Sequence, residues 1–385
     1  MLVPRFPHIR ESVLVVDLGI FTMRALLYVP GKGPQTQYGF LLPSPECTLN
    51  ERIHNCTVNR RPLYMVGTCM GLTPVASLRA HREAGFQVCM HPDAAEAMTG
   101  DPSKLEDMGV DVQRKMPVNA SHVQALDFDE YFWNTLCDMA ELPRPRHTLI
   151  SAADYGRPMD FDPKVGRSAI LKAFFSNRDK AVDLSLPSMP GVDYYRSLLR
   201  IAAIRDSTGF PVFDFATAFI FGMLSLPEIE ARAREEEVLL LHVGEHFLEA
   251  CLVHDDKLYA FLELPFQGLF AENGIRAEEQ VLLDIMRDYY SGRLGEAEVM
   301  ARAGYIWRAS DITLPASSDH GASSGHGSPG ATAGPGGLCP IFSAGTRAGI
   351  MESHSRVMGL QMDSVMINCW GLLNAHDRYL SHRQD

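Results

Sequence analysis

The stretch from Val13 to Gly31 reads VLVVDLGIFTMRALLYVPG, and the stretch from Val238 to Leu264 reads VLLLHVGEHFLEACLVHDDKLYAFLEL. Both share one layout: an apolar run, a small-residue turn at Gly19 or Gly244, and a second apolar run. Runs of Val, Leu, Ile and Phe bounded by Gly read as strands. Each stretch is therefore a strand, a tight turn and a returning strand, and the chain is internally duplicated.

A pair of such turns, one from each half, makes a clamp for a polyphosphate. Main-chain N–H groups meet the anion from both sides, and Gly lets the backbone come close because it has no Cβ. Asp17, near the end of the first run, is placed to hold a metal-bound water beside the phosphates. An Asp-x-Gly turn also closes many ordinary hairpins, so the pairing of the two stretches carries more weight than either one.

A chain of 385 residues, 46% of them hydrophobic, buries enough apolar surface for two lobes. The divisions expected are 1–225, a first lobe with a helical insertion, and 226–385, a second lobe. A formal charge of −12 disfavours nucleic acid and anionic membrane as partners, because both attract basic surfaces. The expected partners are a nucleotide or other small molecule, and a protein. The N-terminal MLVPRFPHIRES has no apolar core of an export signal, and no apolar run reaches the roughly 20 residues that span a bilayer. Eight cysteines are scattered without C-x-x-C spacing, which fits a reducing cytoplasm.

Outward from the first hairpin, TQYGFLL adds a third strand, so the lobe opens on a meander. PVASLRAHREAG is a helix with Pro74 at its start and Gly85 past its end. DFDEYFWNTLCDMAEL has amphipathic spacing. TLISAAD and PVFDF are short strands, each ending on an aspartate, Asp154 and Asp214. The stretch 315–337 is rich in Gly, Ser, Ala and Pro and reads as a flexible insertion. After it, CPIFSAGTRAGIMES reads as a strand, a turn at Gly345 and Arg347, and a helix start. SVMINCWGLLNAHDRYL closes the chain as a helix.

This order of parts resembles the actin-like ATPase superfamily, which includes sugar kinases and chaperone ATPases. More closely, VVDLGIFTMRALLY, VGTCMGLTPVASLRAHREAGFQV, DFATAFIFGML and LHVGEHFLEACLVHDDKLYAFLE resemble a prokaryotic family of unknown function labelled as a pyruvate formate-lyase activating enzyme. The resemblance implies a two-lobed α/β, actin-like ATPase (ribonuclease H-like) fold with an interlobe cleft, and ATP with magnesium as its ligand. Carried over by position, Asp17 would organise the metal, and Asp214 or Asp154 would position the attacking oxygen. Gly19, Thr22, Gly244, Gly345 and Arg347 would line the nucleotide.

The chain departs from the family pattern at each of these loops. Phe21 stands where the first turn has a second Gly, and Arg24 where it has an Asp. His242, Glu245 and Phe247 replace the amide-bearing pattern of the second turn, and Phe215 and Ala216 follow Asp214. The label itself implies a radical enzyme, yet the C-x-x-x-C-x-x-C triplet that holds an iron–sulfur cluster is absent. Two readings stand: an ATPase or phosphotransferase, and a degenerate scaffold that keeps the fold for binding or regulation. A remote third is a zinc hydrolase, since His242, Glu245 and His246 spell H-x-x-E-H, a pattern that requires a helix.

Overall fold

The computed structural model describes residues 4–71, 74–160, 166–175, 180–184, 198–244, 247–265, 275–302, 304–310, 339–344, 356–357 and 366–382. They form two compact units, one of residues 7–170 with 189–218, the other of residues 1–6, 171–188 and 219–385.

The first of these is built on a meander of β1 (Val13–Leu18), β2 (Thr22–Tyr28) and β3 (Tyr38–Pro43). Every residue of β1 is buried, as an interior strand requires. Helix α1 (Pro45–Val58) follows, begun by Ser44, whose Oγ accepts from Cys47 N–H at 3.1 Å, with Pro45 in the first turn. Beyond it lies a second layer: β4 (Leu63–Val66), α2 (Pro74–Glu83), β5 (Val88–Met90), α3 (Pro92–Met98), α4 (Ser103–Asp107), β6 (Val110–Val112) and β7 (Ser121–Gln124). Its strands form a parallel sheet of order β6-β5-β4-β7. The insertion, expected to be helical, is thus α/β; the strand signal in PLYMVG falls on β4.

Helix α5 (Glu130–Met139) leads to β8 (His147–Ala152), which pairs with β1 in parallel. Next come α6 (Gly166–Phe175), the short β9 (Val182–Asp183), α7 (Leu199–Thr208) and β10 (Val212–Asp214), and β10 pairs with β8 in parallel. The main sheet has the order β10-β8-β1-β2-β3.

The other unit repeats this plan. After α8 (Phe215–Leu224) and α9 (Pro227–Glu235), the strands β11 (Val238–Val243), β12 (Phe247–His254) and β13 (Lys257–Pro265) form an antiparallel meander. Helices α10 (Ile275–Tyr290) and α11 (Glu296–Ala301) precede β14 (Tyr305–Arg308), β15 (Ile341–Ala344), β16 (Arg356–Val357) and α12 (Ile367–His382). The sheet order is β14-β13-β12-β11-β15-β16, with β15 parallel to β11 and β16 parallel to β15, and β9 added beside β13. Without β14 and β9 this is the first sheet again. Leu239, Leu241, Leu262, Leu282 and Met286 are fully buried at its core.

Among the described residues no helix is long and apolar enough to cross a membrane. The insertion expected at 315–337 lies outside the described residues.

Candidate functional site

The first hairpin turns through the four residues 19–22, so positions equidistant from the turn face each other: Leu18 opposes Met23, and Asp17 opposes Arg24. Asp17 is fully buried. Its Oδ2 accepts from Arg24 Nη1 at 3.2 Å, and its Oδ1 accepts from Ser151 Oγ at 2.7 Å, Ser151 being its neighbour on β8. The turn closes on itself, with Gly19 N–H donating to the Thr22 carbonyl at 3.0 Å. A Cβ on Gly19 would stand 2.7 Å from that carbonyl and 3.2 Å from Arg24 Nη1. The hairpin and its arginine therefore require glycine here even without a ligand.

The second hairpin carries the same construction. His242 is the fifth residue of β11 as Asp17 is of β1, and it opposes Glu249. His242 Nδ1 lies 3.1 Å from Glu249 Oε2, and both side chains are buried. Gly244 N–H donates to the Phe247 carbonyl at 3.0 Å, and a Cβ on Gly244 would meet His242 Cε1 at 2.9 Å. Each turn is thus pinned by an acid and a base seven residues apart, with the order reversed between the two copies. His242 also ends a strand, not a helical turn, which removes the premise of the zinc-hydrolase reading; Glu245 and His246 lie outside the described residues. Gly345 and Arg347 do so as well.

Asp214, at the end of β10, is gripped by Arg167 of α6, with Nη1 donating to Oδ2 at 2.6 Å and Nη2 to Oδ1 at 2.8 Å. Ala216 N–H also donates to Oδ1 at 3.1 Å. This planar two-bond geometry is the strong form of a charge-assisted pair. Asp154, just after β8, accepts from Gly156 N–H at 2.9 Å and from Ile201 N–H in the first turn of α7 at 3.1 Å. Burial pushes its carboxyl above the usual aspartate range, opposed by those two N–H groups and by Arg167 and Arg200. Asp154 therefore acts as a turn former and a helix cap.

A further ion cluster lies behind these residues. Arg200 of α7 is fully buried; it donates Nε and Nη2 to Asp127 Oδ1 at 3.0 and 2.6 Å, donates Nη1 to the Ala153 carbonyl at 3.2 Å, and faces Glu46 Oε1 at 3.2 Å. Burial favours loss of its proton, but Asp127 and Glu46 outweigh that and raise its pKa. Met70 N–H and the Cys69 thiol also reach Asp127. Sequence reading had missed this cluster and Arg167; their signal was an arginine inside an otherwise apolar helical stretch.

Magnesium binds oxygen ligands at roughly 2.0–2.1 Å in an octahedron and usually keeps several waters. Asp17 does not fit that role: one oxygen faces a guanidinium and the other a hydroxyl donor, and a divalent cation would confront a fixed positive charge. Among the described residues no group of three His, Cys, Asp or Glu side chains is placed to hold a metal.

A meander whose first strand pairs in parallel with a later strand, which in turn pairs in parallel with another, present in each of two sheets, defines the actin-like ATPase (ribonuclease H-like) fold. The family model described as "Putative pyruvate format-lyase activating enzyme (DUF1786)" matches residues 70–312, and the chain belongs to that family. The matched stretch begins after the first hairpin. No curated protein matches the chain. Among solved structures, the chain is similar to the inorganic polyphosphate/ATP-glucomannokinase of Arthrobacter sp. strain KM, at 9% identity and a TM-score of 0.36, covering 97% of this chain and 100% of the other. It is similar to the ethanolamine utilization protein EutJ of Carboxydothermus hydrogenoformans, at 8% identity and 0.30, over 96% and 92%. A third is the Lmo2764 protein of Listeria monocytogenes, named as an N-acetylmannosamine kinase, at 11% and 0.30, over 97% and 99%. The fold assignment rests on strand order and direction, not on these scores.

Proposed function

We propose that this protein uses the actin-like ATPase fold as a binding and regulatory scaffold and does not carry out magnesium-dependent phosphoryl transfer. The observation that carries this reading is the Asp17–Arg24 pair. Phosphoryl transfer depends on positioned charge, with metal ions neutralising the phosphates and a free carboxylate or water-positioning group orienting the nucleophile. Here Asp17, Asp154 and Asp214 are each buried and each bonded to a partner from the chain itself. Freeing any of them costs the desolvation of a charge left without its partner.

The test is a titration of the purified protein with ATP, with and without magnesium, followed by heat of binding and by thermal stability. A ligand bound only by the native state must raise apparent stability. The expected result is no magnesium-dependent binding at millimolar nucleotide. Micromolar binding of magnesium ATP that Asp17→Asn abolishes would overturn the scaffold reading in favour of the ATPase.

A further inference from the structure

On the face of the main sheet opposite Asp17 and Arg24 lies a cavity of about 270 Å³. Alternation along β2 turns Met23 to this side, and Leu42, opposite Met23 on β3, joins it. Pro45, Thr48 and Arg52 line it from α1 at helical spacing, and Phe132 and Trp133 from α5. Ligand cavities run from roughly 300 to 1,000 Å³, so this one takes a small occupant, well below the size of a nucleoside triphosphate.

Its polar groups are fixed before any ligand arrives. Asp127, which lines the cavity, is only 4% exposed and is held by Arg200 and by Met70 N–H. Asp129 accepts from Phe132 N–H at 3.1 Å and so begins α5. Arg52 donates one Nη1 bond to the Gln124 carbonyl at 2.9 Å, leaving the remaining N–H groups of its fork for another acceptor. Trp133 is braced edge-to-face by Phe40 and Phe132, at centroid distances of 5.8 and 5.2 Å. Groups held this way lose little freedom on binding.

The charges set the chemistry of the occupant. Asp127 and Asp129 give the lining two carboxylates. Arg52 is the cation among the lining residues. The rest of the wall, including Met23, Leu42, Pro43 and Phe132, is apolar. We propose that this cavity binds a free apolar or aromatic amino acid, its ammonium toward Asp127 and Asp129, its carboxylate toward Arg52, and its side chain against Met23, Leu42 and Phe132.

The test uses the purified full chain and a panel of the standard amino acids at millimolar concentration, each compared with its amide and N-acetyl forms, read by thermal shift and calorimetry. At least one apolar or aromatic amino acid is expected to raise thermal stability. Its amide and N-acetyl forms should bind about tenfold more weakly, the loss of one charge-assisted contact. Arg52 is exposed, so Arg52→Gln should fold normally; it is expected to weaken the acid about tenfold and leave the amide unaffected. The proposal is overturned if no amino acid shifts stability, or if the acid and its amide bind equally well, or if Arg52→Gln leaves the preference for the acid intact. The nucleotide titration reports on the opposite face of the sheet, so failure of one reading is separable from failure of the other.

Discussion

Arg24 faces Asp17 across the first hairpin at 3.2 Å, the long end of hydrogen-bonding distance, and Asp17 is fully buried. At the same position of the second hairpin His242 faces Glu249. The duplication thus repeats an architecture, and in both copies an acid and a base face each other across the hairpin, in reversed order.

Removing Arg24 takes from the buried Asp17 carboxylate the guanidinium that faces it. Arg24→Met is expected to destabilise the protein by about 3–5 kcal/mol. Urea unfolding measures it, and Arg144→Gln at the exposed Asp138 pair serves as a control that leaves the midpoint unchanged.

Arg200 offers a sharper version of the same argument. Arg200→Met removes the guanidinium that Asp127 and Glu46 share in the interior, and the expected loss is at the upper end of that range, about 5 kcal/mol. Replacing all three residues with apolar ones of similar volume should recover most of it, because the ions' own desolvation then disappears. A triple variant no more stable than the single one would contradict this account.

Gly222 of α8 packs against the α12 backbone so closely that a Cβ would stand 2.2 Å from the Ile367 carbonyl. Gly222→Ala must push the two helices apart, at a cost of about 1–3 kcal/mol. The measurement is the thermal midpoint, with Gly295→Ala, where a Cβ meets open space, as the comparison.

His81 is fully buried, with Nδ1 2.7 Å from Thr57 Oγ1. Burial lowers its pKa below the ordinary 6.5, a backbone contact at Gln87 opposes, and Arg82 adds to the lowering. A base whose folded pKa is depressed takes up its proton more readily when unfolded. Stability is therefore full above about pH 6.5 and is lost as pH falls toward the folded value, by at most about 1.4 kcal/mol per pH unit. Denaturant midpoints between pH 7.5 and 5 should decline in the parent and stay flatter in His81→Gln.

Much of the architecture was legible in the residues. The strands at Val13–Leu18, Thr22–Tyr28 and Val238–Val243 were expected from long apolar runs bounded by glycine, α2 from end signals that agreed with apolar spacing, and α5 from amphipathic spacing. Even the Asp17–Arg24 and His242–Glu249 pairs have a sequence trace, since in each case both residues stand equally far from a four-residue turn, 19–22 or 244–247. In the insertion the strand at PLYMVG was legible but the parallel order of its sheet was not, because parallel pairing joins residues far apart in the chain.

By itself, then, the sequence determined the duplicated meander and its turns, because strand formation and tight turns depend on residues that are neighbours along the chain. It also supplied the carboxylates Asp17, Asp154 and Asp214 at strand ends. Only the tertiary structure decided what those carboxylates do. Their partners Arg24, Ser151, Arg167 and the N–H of Ile201 come from separate elements, and a buried charge takes its role from whichever opposite charge or N–H the fold brings within about 3 Å.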